Sequence, residues 1–156
     1  MKQCVFDCNI AVKFWLNEPD SKDLLDWLQR EMALVFDQRL ICQVPEFFYV
    51  EVANVLWKKA TLSKSLPLAD VLPAVRDLEQ LSLFLPNPVR PLIIRSTDLA
   101  LRYDGLTVYD ACYLSLAESH DCLLVTEDQR MRNILTGSPH ERFLMSLADF
   151  MRDVRS

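Results

Sequence analysis

Four acidic residues stand at positions from which their carboxylates could act together on a substrate. Asp7 follows the apolar pair VF, and Asp128 follows LLVTE. Glu51 lies in PEFFYVEVANVLWKK and Asp110 in TVYDACY. Each also has a structural explanation, because an Asp after a strand is a common helix N-cap and Thr107-x-x-Asp110 resembles a capping box with Asp in place of Glu. A chemical role requires that the fold bring these acids together.

Carboxylates that converge need a counter-charge. Two of them about 4 Å apart repel by roughly 4 kcal/mol at an effective dielectric constant of 20, so protons or cations must relieve the repulsion. Oxygen ligands without a His or Cys partner favour Mg²⁺ or Mn²⁺ over zinc. Both histidines, His120 and His140, are predicted in solvated loops away from the acids. The sequence therefore predicts a Mg²⁺ or Mn²⁺ site formed by the four acids.

Glu51 is the acid that is hardest to explain structurally. It is predicted in the middle of a helix that starts at Pro45 and runs to about Ala60, and its neighbours three and four positions away are mostly apolar. A carboxylate on such a face is costly unless it is paired or bound to a metal. The structural alternative is an ion pair with Lys58 or a side chain that reaches solvent. Glu46 is predicted in the first helical turn, where the helix dipole favours acids.

The elements that must position these acids alternate between strands and helices. Strands are predicted at 3–7, 40–44, 83–85, 122–126 and 142–146, and helices at 19–32, 45–60, 66–81 with a break at Pro73, up to 103, at 108–119, from 128, and at the end of the chain. Because parallel neighbours need crossover connections, this order predicts an α/β fold, a three-layer sandwich with a central parallel β-sheet flanked by helices. Ligands of such sheets bind outside the carboxyl ends of the strands, where Asp7 and Asp128 are predicted.

Length and composition predict one domain over residues 1–156, since no repeat, low-complexity segment or Gly/Ser linker marks a boundary. The formal charge of −5 argues against a globally basic nucleic-acid binder, although an enzyme could carry this charge in a site that a cation neutralises. Five cysteines without C-x-x-C spacing predict free thiols in a reducing cytosol. No signal peptide and no apolar run of about 18 residues are found, so we expect a cytoplasmic protein without a membrane segment.

The chain resembles the PIN-domain proteins, and among them the VapC-like ribonuclease toxins of bacterial toxin–antitoxin pairs. The resemblance covers nearly the whole chain and rests on VFDCN, VPEFFYVEVANVLWK, YDACY and LLVTED, which occur in the family's order. It implies an α/β sandwich around a parallel sheet and metal-dependent RNA cleavage, with Asp7, Glu51, Asp110 and Asp128 as the catalytic and metal-binding residues. For the toxins it also implies a homodimer and inhibition by a small antitoxin protein. Cys8 departs from the family, in which a smaller residue is common at this position.

Further residues flank the acids. Asn9 and Thr126 match polar positions of the family and are predicted to support Asp7 and Asp128, with turn and capping chemistry as the alternative. Bound Mg²⁺ would activate a water and stabilise charge on the leaving oxygen, so that no protein nucleophile is needed. Four basic residues are predicted to hold RNA phosphates, namely Lys58, Lys59, Arg130 and Arg132. A solvated helix face explains these four equally well.

Two other functions remain open. A phospho-aspartyl phosphatase of the haloacid-dehalogenase type also has an Asp after its first strand, but it needs an acid two residues later to protonate the leaving group, and this chain has Asn9 there. A non-catalytic interaction module could keep the fold and use its surface to bind a partner. The presence of all four acids argues against such a module, and metal-dependent RNA cleavage discriminates between the two functions.

Overall fold

The central feature of the molecule is a parallel β-sheet. The computed structural model describes residues 2–18, 20–36 and 40–153. Within them, the sheet has the strand order β3-β2-β1-β4-β5. The strands are β1 (Lys2–Phe6), β2 (Leu40–Pro45), β3 (Phe84–Asn87), β4 (Leu123–Val125) and β5 (Leu144–Met145). All neighbouring pairs are parallel, as predicted.

Helices flank this sheet. They are α1 (Cys8–Ala11), α2 (Ser21–Phe36), α3 (Phe48–Thr61), α4 (Leu68–Gln80), α5 (Ile93–Arg102), α6 (Val108–Ser119), α7 (Gln129–Leu135) and α8 (Leu147–Asp153), with 3-10 turns at Val12–Phe14, Arg90–Leu92 and Glu141–Phe143. This arrangement confirms the predicted three-layer α/β sandwich. In the described part of the chain, no helix combines the length and the apolar character needed to cross a bilayer.

Aromatic side chains pack α2, α3 and α8 against the sheet. The ring of Phe6 in β1 lies 5.2 Å from that of Phe150 and 6.2 Å from that of Phe84, measured between centroids. Phe84 in turn contacts Phe48 of α3 at 4.8 Å, and the fully buried Trp27 of α2 contacts Phe150 at 5.3 Å. Rings of this size contribute much of the burial energy of a core. The packing of Phe48 fixes the start of α3, on which Glu51 lies.

Helix α6 is buried along most of its length. Every residue from 111 to 117 is buried, and the helix contacts β1, β2, β4 and α5. A helix that is apolar around most of its circumference is typical of a core position. Its polar Ser115 accepts a hydrogen bond from the Ser96 hydroxyl at 3.1 Å, which satisfies the buried group. Asp110, in the first turn of α6, is therefore carried by a firmly packed element.

The chain reverses its direction across the sheet between β1 and β4. It proceeds outward from β1 through β2 to β3 and then returns to β4 on the other side of β1. Ligands of open α/β sheets bind at such a switch point, outside the carboxyl ends of the strands. The backbone N–H of Asp7 donates to the carbonyl of Val125 at 3.1 Å. The ends of β1 and β4 thus lie side by side at the switch point.

The predicted boundary of the second helix is wrong. Pro45 is the last residue of β2, and α3 begins at Phe48, so Glu51 lies in the first helical turn and not in the middle. Glu46 precedes the helix, and its carboxylate accepts the backbone N–H of Val89 at 3.1 Å. Pro is favourable at a helix start, but pairing with β3 extends the strand to this residue.

Two further local predictions are wrong. Helix α4 continues through Pro73, because the burial of its Ala74 and Leu78 outweighs the hydrogen bond that proline removes. His140 is not solvated, since its Nδ1 lies 2.7 Å from the hydroxyl oxygen of Tyr103 and its side chain is only 12% exposed. His120 is exposed, as predicted.

Candidate functional site

Asp7 is buried at the switch point and held by hydrogen bonds. It is 7% exposed and caps α1, where its Oδ1 accepts the backbone N–H of Asn9 at 3.4 Å. Its Oδ2 accepts the Thr126 hydroxyl at 2.6 Å and the Asn9 side-chain amide at 2.8 Å. Burial raises the pKa of Asp7 above its ordinary value, the charge of Asp110 adds to the increase, and the hydrogen bonds from Thr126 and Asn9 oppose it. Keeping this carboxylate charged is therefore costly without a counter-ion.

Asn9 and Thr126 form a small network around this carboxylate. Thr126 is fully buried, and its Oγ1 accepts both the Asn9 amide at 3.2 Å and the backbone N–H of Asp128 at 3.0 Å. The Oδ1 of Asn9 accepts the backbone N–H of Glu127 at 3.3 Å. Both residues thus contact the acids that they were predicted to support. Their importance for activity stays a prediction.

Glu51 reaches the site from the first turn of α3. Its Oε2 accepts a hydrogen bond from the Tyr113 hydroxyl at 2.5 Å. Burial raises the pKa of Glu51, the charges of Asp7 and Asp110 raise it further, and the Tyr113 hydrogen bond opposes them. The alternative of an ion pair between Glu51 and Lys58 is not among the contacts of the described residues. A tyrosine hydroxyl therefore pairs this carboxylate instead of a lysine.

Asp110 forms a capping box with Thr107 and an ion pair with Arg130. The capping box is present, since Thr107 Oγ1 accepts the N–H of Asp110 at 3.1 Å and Asp110 Oδ2 accepts the N–H of Thr107 at 3.3 Å. Arg130 Nη2 lies 2.5 Å from the same Oδ2, and Arg130 Nη1 donates to the carbonyl of Gly105 at 2.6 Å. The charge of Asp110 nevertheless contributes to the raised pKa of both acids described above. Asp110 is thus both a capping residue and a member of the acidic cluster.

Asp128 joins this group in a different way. Its carboxylate caps α7 by accepting the backbone N–H of Met131 at 3.0 Å. Its own N–H donates to Thr126, which donates to Asp7. The structure therefore brings Asp7, Glu51 and Asp110 into one electrostatic cluster and links Asp128 to it through a hydrogen-bond bridge.

The acids fit a hard divalent cation by type. Carboxylate oxygens are its preferred ligands. The charge of Asp110 helps to raise the pKa of both Asp7 and Glu51, and the charge of Asp7 also raises that of Glu51. Within the described residues, however, no three His, Cys, Asp or Glu side chains are arranged to hold a metal ion. Asp110 is bound to Arg130 and Glu51 to Tyr113. The side chains would have to draw closer together to share a cation.

Three of the four predicted RNA-binding residues have protein partners. Lys59 Nζ forms an ion pair of 2.7 Å with Glu18, and Arg130 forms one with Asp110. Arg132 Nη2 donates to the backbone carbonyl of Thr126 at 2.6 Å. Lys58 is exposed and has no ion pair with a described residue. Contact of these residues with RNA stays a prediction.

Tyr113 is a residue of the site that the sequence motifs do not predict. The residue is 2% exposed and follows Asp110 by three positions, which places both on one side of α6. A buried tyrosine hydroxyl generally requires a hydrogen-bond partner, and this requirement was the available signal. Without a structure, no sequence pattern identified Glu51 as that partner.

The raised pKa values predict how stability depends on pH. Because Asp7 and Glu51 have higher pKa values in the folded chain, their protonation stabilises the fold; this contribution is complete below their ordinary values of about 4 and is lost as the pH rises through the folded values. The hydrogen bond with Arg95 lowers the pKa of Glu118, so the contribution of Glu118 to stability is lost only at pH values below its ordinary pKa of about 4. We therefore expect the melting temperature in EDTA to rise as the pH falls from 7.5 toward the ordinary carboxyl pKa of about 4, measured by circular dichroism.

The matched control for this pH dependence is the variant with both Asp7→Asn and Glu51→Gln. It should lose most of the increase in melting temperature, because neither side chain can then titrate. A wild-type melting temperature that stays constant or falls over this range would contradict the electrostatic description of the cluster.

Known proteins share this fold and domain type. The PIN domain family model matches residues 4–135. Among solved structures, PAE2754 from Pyrobaculum aerophilum matches with a TM-score of 0.65 and 21% identity, over 99% of this chain and 90% of that chain. A toxin–antitoxin complex from Klebsiella pneumoniae matches with a TM-score of 0.55 and 19% identity, over 91% and 95% of the two chains.

A third structure, VapBC2 from Rickettsia felis bound to a DNA fragment from its promoter, matches with a TM-score of 0.59 and 16% identity, over 92% of this chain and 98% of that chain. A search of curated proteins found no match. At these identities the three structural likenesses show the fold alone.

Proposed function

Since the chain belongs to the PIN domain family, we propose that it is a metal-dependent ribonuclease that hydrolyses RNA phosphodiester bonds and serves as the toxin of a toxin–antitoxin pair. The observation that carries this proposal is the cluster of Asp7, Glu51 and Asp110 at the switch point of the sheet. The three acids come from distant parts of one proposed domain over residues 1–156. A cluster of carboxylates suits a divalent cation and a phosphate substrate.

In the proposed reaction the protein positions groups and supplies charge. Three acids would hold Mg²⁺ or Mn²⁺, namely Asp7, Glu51 and Asp110. Thr126 and Asn9 fix the carboxylate of Asp7, and Asp128 lies at the edge of the site. When bound, such a cation activates a water molecule and offsets the charge that develops on the phosphate. Cys8 is unsuited as a nucleophile, because burial and the neighbouring acids raise the pKa of its thiol and the thiolate is the reactive form.

The basic residues are proposed to hold the RNA phosphates beside the cut bond. Lys58 is the most available of them, since it is exposed. Lys59 would have to leave Glu18, and Arg130 would have to leave Asp110, before either could bind phosphate. Arg132 can turn its guanidinium outward only by giving up its hydrogen bond to a backbone carbonyl.

The test of this function is RNA cleavage by the purified chain. Varied single-stranded and folded RNAs should be cut in Mg²⁺ or Mn²⁺ and left intact in EDTA. The alternative is a non-catalytic PIN-fold module, and the pairing of Asp110 with Arg130 is the observation that favours it. Intact RNA under all metal conditions, with a folded protein, would favour the module. A phospho-aspartyl phosphatase is less suited, because Asn9 stands near Asp7 where an acid is required.

An antitoxin protein and a second copy of the chain are the proposed partners. The similar structure from Klebsiella pneumoniae is a toxin–antitoxin complex, which supports an antitoxin. For the homodimer, Ile94 and Leu101 on one side of α5 are 82% and 83% exposed, and exposed apolar surface of this kind suits a protein interface.

Light scattering at micromolar concentration should give twice the chain mass of 18.1 kDa. A mass of one chain would contradict the dimer, and Ile94→Glu should reduce the mass to that value.

A further inference from the structure

Tyr113 connects the two helices that carry Glu51 and Asp110. Its hydroxyl donates to Glu51 Oε2 at 2.5 Å, whereas Glu51 Oε1 accepts no hydrogen bond from the described residues. The ring of Phe47, directly before α3, packs edge-on against Tyr113 at a centroid distance of 5.7 Å and an angle of 84°. The start of α3 therefore contacts Tyr113 twice, once through a ring and once through a carboxylate.

We propose that Tyr113 is a positioning residue that holds the Glu51 carboxylate in place for a divalent cation, leaving Oε1 as the ligand atom. This inference rests on the proposed function. A free glutamate side chain loses rotamer freedom when it binds a cation, and this loss of entropy weakens binding. A hydrogen bond that orders it beforehand reduces this cost for the ligand, as outer-sphere partners of metal ligands do.

Two properties suit Tyr113 to this role. It is 2% exposed, so water does not compete for its hydroxyl. The position three residues after Asp110 also means that one helix supplies an acid of the cluster and the donor that orients another.

The test is the affinity of Tyr113→Phe for Mn²⁺ alone, measured by isothermal titration calorimetry. The variant keeps the ring and its packing on Phe47, so its melting temperature in EDTA should stay within a few degrees of the wild type. We expect its affinity for Mn²⁺ to fall by about 10-fold to 100-fold, the loss typical of outer-sphere partners. Tyr49→Phe is the matched control, since Tyr49 lies on the same helix as Glu51 and its hydroxyl has no hydrogen bond with a described residue. Its affinity should not change.

A double-mutant cycle separates positioning from a general structural effect. In a Glu51→Gln background, Tyr113→Phe should change the affinity for Mn²⁺ by less than twofold, because its target is already altered. Wild-type affinity in Tyr113→Phe, or an equal loss in both backgrounds, would overturn the positioning role and leave the ribonuclease proposal intact. If the wild-type chain neither binds Mn²⁺ nor cuts RNA, the proposed function itself fails, and the role of Tyr113 fails with it.

Discussion

Replacement of Asp7 by Asn is expected to lower metal-dependent RNA cleavage by about 10³-fold or more. Asp7 is the most buried of the acids and lies at the end of the central strand. A lost ligand that removes about 4 kcal/mol of charge stabilisation in the transition state corresponds to a rate loss of this size. The measurement is the initial rate of cleavage in Mn²⁺ and in Mg²⁺ at saturating RNA.

The loss should not result from unfolding. Asp7→Asn removes a charge that is costly to bury. The stability gained in this way offsets the weakened hydrogen bond from Thr126, which contributes about 1.5–3 kcal/mol to a charged acceptor. The melting temperature in EDTA should therefore stay close to that of the wild type. Asp104→Asn is the matched control, because Asp104 is an exposed turn residue, and it should cut RNA at the wild-type rate. A folded Asp7→Asn variant that cuts as fast as this control would exclude Asp7 from the site.

Much of the fold could be predicted from the sequence because its signals are local. The sequence predicts the helix at Val108–Ser119 with its observed bounds, since most of its residues are apolar and Asp104-Gly105 and Ser119-His120-Asp121 interrupt the pattern on either side. The alternation of strands and helices then restricts the chain to a parallel sheet. The neighbouring ends of β1 and β4 follow from that topology.

Other features could not be predicted, because they depend on contacts between distant residues. The start of α3 at Phe48 reflects the pairing of Pro45 with Asn87 in β3, which lies far along the chain. The same holds for the site. The hydrogen bond between Tyr113 and Glu51 joins residues 62 positions apart. The ion pair of Arg130 with Asp110 joins two helices that no local sequence pattern relates. Single acids were found from sequence, whereas their partners required the fold.

The Arg130 contact also changes what an Asp110→Asn variant can show. From the sequence alone, a metal ligand at this position predicts unchanged or higher stability without metal, because neutralisation relieves repulsion, whereas a cap predicts a loss. In the structure, relief of repulsion is opposed by loss of a half-exposed ion pair worth about 0–1 kcal/mol. The stability of Asp110→Asn in EDTA should therefore change little, and its sign does not distinguish the two roles.

Cleavage by Asp110→Asn, compared with Thr107→Ala, does distinguish them. Thr107→Ala removes the hydroxyl that caps α6 and keeps the charge of Asp110, so it should cost about 1 kcal/mol of stability and change the cleavage rate by no more than a few fold. Asp110→Asn keeps an acceptor for the N–H of Thr107 but removes a charge from the cluster, so it should lower cleavage by at least about 100-fold. Thermal denaturation in EDTA and initial rates in Mn²⁺ measure both effects. If Asp110→Asn cuts RNA as fast as Thr107→Ala, Asp110 serves the helix alone, and the site must consist of the remaining acids.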